Sequence, residues 1–145
     1  MKFEIREATI EDANHICELN CTEMGYEYPA EETKKQLTKI LSSAKDRIYV
    51  AVLTGKVVGY VHANDYDLVY TPPMKNIMGI AVSGECKRMG IGKALLGAVE
   101  NWAKADGAMG VRLVSGATRT ESHAFYERCG YSGGKQQLNF KKFFE

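Results

Sequence analysis

The sequence has no apolar run approaching the roughly 20 residues that a helix needs to cross a bilayer. It also holds only three prolines and one tryptophan. A membrane-spanning helix and a proline-rich extended scaffold are therefore not expected. Neither charge sign is in surplus, because 19 Lys and Arg against 18 Asp and Glu leave a formal charge of +1. A general nucleic-acid binder needs a pronounced basic surface, so no nucleic-acid partner is expected. Four cysteines (Cys17, Cys21, Cys86, Cys129) include no CxxC pair and no disulfide-type spacing. Cys17 and Cys21 would share a helix face, but no matching His or Cys pair stands elsewhere. Small core residues are expected, and no metal. Met1 to Arg6 alternates like a strand and lacks the apolar segment of a signal peptide. A reduced, cytoplasmic protein with no membrane partner is the expectation.

What is present is ordinary for a globular protein: 45% hydrophobic and 26% charged residues. One domain over residues 1–145 is expected, with a core of its own. Lys2 to Glu7 reads as a strand. Thr9 then caps a helix, with Asp12 at the capping-box position and Ile10, Ala13, Ile16 and Cys17 on one side. Met24 to Pro29 breaks it, and a second helix runs from about residue 30 to 44. Ile48 to Leu53 and Val57 to His62 flank Thr54-Gly55-Lys56 as a hairpin. Asp65 to Pro73 reads as a loop and Lys75 to Val82 as a strand. A helix over about 90–105, a strand over 111–115 and a helix over about 120–129 follow. Gly130 suits a left-handed helix stop. Tyr131 and Leu138 to Phe144 are expected to supply terminal strands around Ser132-Gly133-Gly134. Together these elements describe a mixed α/β sheet with helices on both faces.

The most informative segment is Lys87-Arg88-Met89-Gly90-Ile91-Gly92. It lies between the apolar run Ile77 to Val82 and an amphipathic stretch in which Ile91, Leu95, Leu96, Val99, Trp102 and Ala103 recur at helical spacing. A glycine-spaced basic turn at a helix start offers unpaired N–H groups to an anion. Gly90 and Gly92 lack Cβ atoms, so a phosphate can approach the main chain closely. Such a turn also occurs as a plain tight connection. The Walker A spacing is absent, and Leu95 stands where a dinucleotide fingerprint would carry its third glycine.

Val82 to Gly92 resembles the acetyl-CoA pyrophosphate motif of the GCN5-related N-acetyltransferase (GNAT) superfamily. Arg119 to Tyr131, with Phe125-Tyr126-Glu127 running into Gly130-Tyr131, looks like that family's second signature. The order of elements matches over essentially the whole chain. The resemblance implies a GNAT-like, mostly antiparallel sheet splayed at the coenzyme site, and an acetyl-CoA-dependent transfer to a primary amine of a small molecule or peptide. Ile80, Ala81 and Val82 would meet pantetheine, and the diphosphate would sit on the amides of Lys87, Arg88, Met89, Gly90, Ile91 and Gly92. Ser115 would lie near the opening. Tyr126 stands at the general-acid position, although a tyrosine after Phe125 also reads as a core aromatic.

Departures from the pattern are informative. Lys87 replaces the usual Arg or Gln. Arg119 replaces an Asn seven residues before the tyrosine; with His123, one turn on, it could meet coenzyme, pair with it, or be solvated. The positions that often carry a catalytic carboxylate are Met78 and Gly79, leaving Glu23, His62 or Asp65, or an amine that arrives neutral. Met24 to Pro29 and Asp65 to Pro73 are acidic and aromatic, which suits a cationic amine. Without turnover, the same fold would be an acyl-CoA-binding regulatory domain. Phe140, Phe143 and Phe144 could close the sheet or help form a homodimer.

Overall fold

The computed structural model describes residues 2–117 and 119–144. Its contacts gather in two compact units, Met1–Leu113 and Val114–Glu145. The first contains one five-stranded sheet in sequence order, built from β1 (Glu4–Glu7), β2 (Asp46–Leu53), β3 (Lys56–Tyr66), β4 (Met74–Val82) and β5 (Val111–Leu113). Neighbours run antiparallel except β4 and β5, which are parallel. Three helices accompany the sheet: α1 (Ala13–Met24), α2 (Ala30–Leu41) and α3 (Ile91–Ala105).

Alternation along the strands sends side chains to opposite faces. Ile48, Val50 and Val52 of β2 join Tyr60 and Ala81 in a core with Ala13, Ile16 and Leu19 of α1 and Leu37 and Ile40 of α2. Ala51 and Gly59, which pair across β2 and β3, face the other way. Against that second face lies α3, whose stripe Ile91, Leu95, Leu96, Val99, Trp102 and Ala103 is buried as the helical spacing requires. Helices therefore cover both faces.

Local chemistry sets the boundaries. Asp12 Oδ2 accepts the Thr9 N–H at 2.8 Å, the carboxylate half of a capping box, and a short 3-10 turn (Ile10–Asp12) leads into α1. Gly25 ends α1 at a φ of 73°, a left-handed value that glycine adopts freely. Thr54 and Gly55, both at positive φ, turn the β2–β3 hairpin. The second helix stops at Leu41, and β3 continues to Tyr66 through the start of the expected loop.

The decisive feature is an interruption in β4. His62 pairs with Gly79 but Ala63 pairs with Ile77, so Met78 is an extra residue and forms a bulge. At that same level the parallel pairing with β5 stops, its last pair being Ile77 with Leu113. Beyond it, β4 keeps β3 on one side and has no strand on the other among the described residues. This is the expected splay.

The second unit holds α4 (Thr120–Arg128), closed by Gly130 at a φ of 92°. The expected terminal strand over Leu138 to Phe144 is absent: residues 132–144 form no regular element, and Leu138, Phe140, Phe143 and Phe144 are exposed. Strand-like composition needs a neighbouring main chain to pair with, and none is described beside this segment.

Candidate functional site

Ser83 donates its N–H to Val58 O at 2.8 Å across β3 and β4. In an antiparallel ladder successive residues turn their main-chain groups to alternate sides. Ala81 therefore turns toward β3, while Ile80 and Val82 direct theirs to the open edge, where an extended ligand arm can pair with them. Glu23, near the end of α1, accepts the N–H of Gly84 at 3.0 Å and ties α1 to the turn after β4.

That turn contains a short helical segment (Gly84–Cys86), Cys86 being buried beneath it. Arg88 and Gly90 then take positive φ values of 67° and 85°. Positive φ at alternate positions curls successive N–H groups toward one side, a concavity that favours anions. The first intrahelical bond of α3 runs from Ala94 N to Gly90 O, and no side chain caps the helix. The amides of Ile91, Gly92 and Lys93 are left for an external acceptor at the positive end of the helix dipole. Lys87, Arg88 and Gly90 are exposed and Met89 is half-buried, whereas Ile91 is buried and anchors the turn to the core. These groups fit a diphosphate.

In the C-terminal unit, Ser115 Oγ is buried with no hydrogen-bond partner among the described residues. An orphaned buried hydroxyl is costly unless a ligand satisfies it. Arg119 precedes α4 and donates its N–H to Gly116 O at 3.0 Å. His123 Nε2 also meets Gly116 O, at 2.8 Å; a carbonyl only accepts, so that nitrogen carries the proton. His123 thus braces the loop before α4. Tyr126 lies tilted against Phe125 and meets Tyr131 edge-on, with ring centroids 5.3 and 6.3 Å away. Burial raises the Tyr126 pKa above the ordinary phenol value, against the lowering influence of the Arg119 charge. A phenol so placed keeps its proton at neutral pH.

The three alternatives for a base have different surroundings. Asp65 is held by Lys75 Nζ at 2.5 Å, and the same ammonium reaches Asp106 at 2.6 Å. His62 pairs with Asp46 at 2.8 Å. Of the three, Glu23 is the one at the end of β4. The α1–α2 connection borders an open cavity of about 470 Å³ lined by Cys17, Asn20, Tyr26, Glu27, Tyr28 and Thr33, together with Gly25. Asn20, one of the lining residues, makes a contact that sequence spacing could not reveal: its Oδ1 accepts the hydroxyl of Tyr60, 40 residues away.

The sequence pattern of the acetyltransferase (GNAT) family matches residues 13–131. The chain belongs to the acetyltransferase (GNAT) family. As a GNAT acetyltransferase it uses acetyl-CoA as cosubstrate for N-acetylation. An aminoglycoside N(6')-acetyltransferase type 1 from Stenotrophomonas maltophilia is 26% identical over 142 residues, 94% of this chain and 91% of that protein. Among solved structures, a transcriptional regulator from Bacillus halodurans C-125 superposes with a TM-score of 0.88 at 19% identity, covering 97% of this chain and 100% of the other. The acetyltransferase AAC(6')-Iy, in complex with the bisubstrate analogue CoA-S-monomethyl-acetylneamine, gives 0.86 at 19% identity, with 99% and 100% covered. At such identities the structural likeness establishes a shared GNAT fold. No helix among the described residues is long and apolar enough to cross a membrane.

Proposed function

We propose that this GNAT protein transfers the acetyl group of acetyl-CoA to a primary amine on a cationic small molecule, by direct attack of the amine on the thioester. The observation that carries this reading is the open edge of β4 at Ile80 and Val82, followed by the uncapped start of α3. Pantetheine pairs along the first, and the amides of residues 87–92 hold the diphosphate. A polar group of the coenzyme would give the buried Ser115 hydroxyl its partner, and Arg119 and His123 shape the loop before α4. Tyr126 supplies the proton to the leaving thiolate.

The acceptor enters the cavity at the α1–α2 connection, where Glu27 offers negative charge and Tyr26 and Tyr28 offer aromatic faces to an ammonium. The aminoglycoside acetyltransferase likeness supports the same choice. Because Met78 and Gly79 carry no carboxylate, the amine loses its proton to water or to Glu23, or arrives neutral. The exposed Leu138, Phe140, Phe143 and Phe144 support a homodimer as the assembled form.

Thiol release from acetyl-CoA, measured across aminoglycosides, polyamines, amino acids and peptides, tests the reading. Fastest release with polycationic small molecules is expected. Preference for anionic or uncharged acceptors would overturn the acceptor class. Tight coenzyme binding without amine-dependent release would instead favour a regulatory acyl-CoA-binding domain, to which the missing carboxylate lends some weight.

A further inference from the structure

Pairing across β3 and β4 sets His62 directly opposite Gly79, so the two face the same side of the sheet. That side is the one covered by α1 and α2, because Tyr60, two residues before His62, packs in their core. Asp65, three residues on, falls on the other face, where its partner Lys75 lies over the Trp102 ring of α3. Glu23 spends one carboxylate oxygen on the Gly84 N–H. His62 is engaged differently. Its Nε2 meets Asp46 Oδ1 at 2.8 Å, and both side chains are half-buried. A carboxylate only accepts, so Nε2 carries the proton and the neutral ring keeps a bare lone pair at Nδ1. Nδ1 makes no hydrogen bond among the described residues, yet it is not shut away: Ser115 Oγ is the enclosed side-chain polar atom left without a partner there.

Gly79 leaves room beside this ring. A Cβ built on it would meet the Tyr60 hydroxyl at 3.6 Å and, its chain neighbours apart, nothing else within 4 Å among the described residues. Gly79 also follows the Met78 bulge, the level at which β4 and β5 part. A water in this space has polar neighbours in the Tyr60 hydroxyl and the His62 ring. It stands beside the splay, where the proposed reading brings the thioester and the amine together.

We infer that His62 is the general base of the transfer, receiving the amine's proton through one water beside Gly79, and that Asp46 is the positioning residue that fixes its tautomer and ring. The inference rests on the proposed transfer to a cationic amine and names the group that accepts the proton lost to water. In the step, one N–H bond of the ammonium breaks as an O–H bond forms on the water. A second O–H bond of that water breaks as Nδ1–H forms, and the freed nitrogen lone pair attacks the thioester carbonyl. The imidazolium, beside the Asp46 carboxylate, later returns its proton to solvent.

The test measures kcat with kanamycin and with spermidine at neutral pH in wild type, His62→Gln, His62→Ala and Asp46→Asn. His62→Gln can still donate a hydrogen bond to Asp46 but cannot take a proton, and should lower kcat by about 100-fold. Asp46→Asn should lower it to a lesser extent. Added imidazole should restore part of the rate of His62→Ala, which a merely structural defect would not allow. Acetyl-CoA affinity, read by calorimetry, should be the same in all four proteins. Undiminished kcat in His62→Gln, or a fall that imidazole leaves unrelieved in His62→Ala and that lost acetyl-CoA affinity accompanies, would overturn the inference while leaving the transferase standing. Absence of thiol release with either acceptor in wild type would overturn the transfer to a cationic amine and this inference with it.

Discussion

Gly59 of β3 lies directly under Ile91, the first residue of α3: a Cβ built on the glycine would come within 3.2 Å of Ile91 Cγ2, and equally close to Ala81 O. The start of α3 is seated on the sheet at this close contact. Leu95 Cδ1, at 3.3 Å, closes the same gap one turn later. Gly59→Ala should therefore displace the start of α3 or strain the core, costing about 1–3 kcal/mol. Thermal unfolding measures that loss, and weaker acetyl-CoA binding in calorimetry should accompany it. Full stability and affinity in the variant would show that α3 has room to spare.

Arg6 and Asp12 join the first strand to the start of α1 by two bonds, at 2.8 and 3.0 Å. Burial alone would raise the Asp12 pKa, but the Arg6 bonds and the Thr9 N–H outweigh it and lower the value. A carboxylate depressed on folding adds stability above its unfolded pKa, and that contribution is lost as pH falls through the folded value. Asp12→Asn should cost about 1–3 kcal/mol at neutral pH. The difference from wild type should shrink in acid, below the ordinary carboxylate pKa. Urea melts across pH 3–7 report it (an order-of-magnitude window).

Lys75 is buried between Asp65 and Asp106, with its ammonium 3.8 Å from the centre of the Trp102 ring. Burial would lower its pKa, but the two carboxylates win and raise it. The cluster pins the closed end of the β4–β5 pair, where Lys75 N–H also donates to Gly110 O at 3.0 Å. Lys75→Met leaves two carboxylates without their cation and should cost about 2–3 kcal/mol. That is less than breaking a fully enclosed pair, because Asp106 reaches water. Denaturant unfolding gives the number.

Much of this was legible beforehand because periodicity reports burial. Ile91, Leu95, Leu96, Val99 and Trp102 were expected on one helix face and are buried there. Gly130 takes the left-handed conformation that its position suggested. What escaped depends on partners far along the chain. Nothing in the spacing links Asp65, Lys75 and Asp106, so Asp65 read as a loop residue and a possible base when it is one of two carboxylates paired with Lys75. Tyr60 and Asn20 meet only because α1 crosses β3. Leu138 to Phe144 have strand-forming side chains but no described strand to pair with. The bulge at Met78 is a register property, fixed by where β3 and β5 sit.

Tyr126 is expected to act as an acid, with its proton held above the usual phenol value of 10.0. Raising pH to about 9 should not remove the acid group, and the basic fall in kcat should begin only beyond the ordinary phenol range. Tyr126→Phe should lower kcat by about 100-fold with acetyl-CoA affinity nearly unchanged. An unaltered kcat would assign the proton to another donor.

The measurement that bears most directly on acetyl-CoA use at this turn is calorimetric titration of the coenzyme into wild type and Gly90→Val. One saturable site is expected in wild type. In the variant, binding should be at least about tenfold weaker, because a branched residue at a left-handed φ costs about 1–2 kcal/mol and crowds the diphosphate. Absence of heat in wild type, or the same affinity in both proteins, would contradict a coenzyme held by the main chain of residues 87–92.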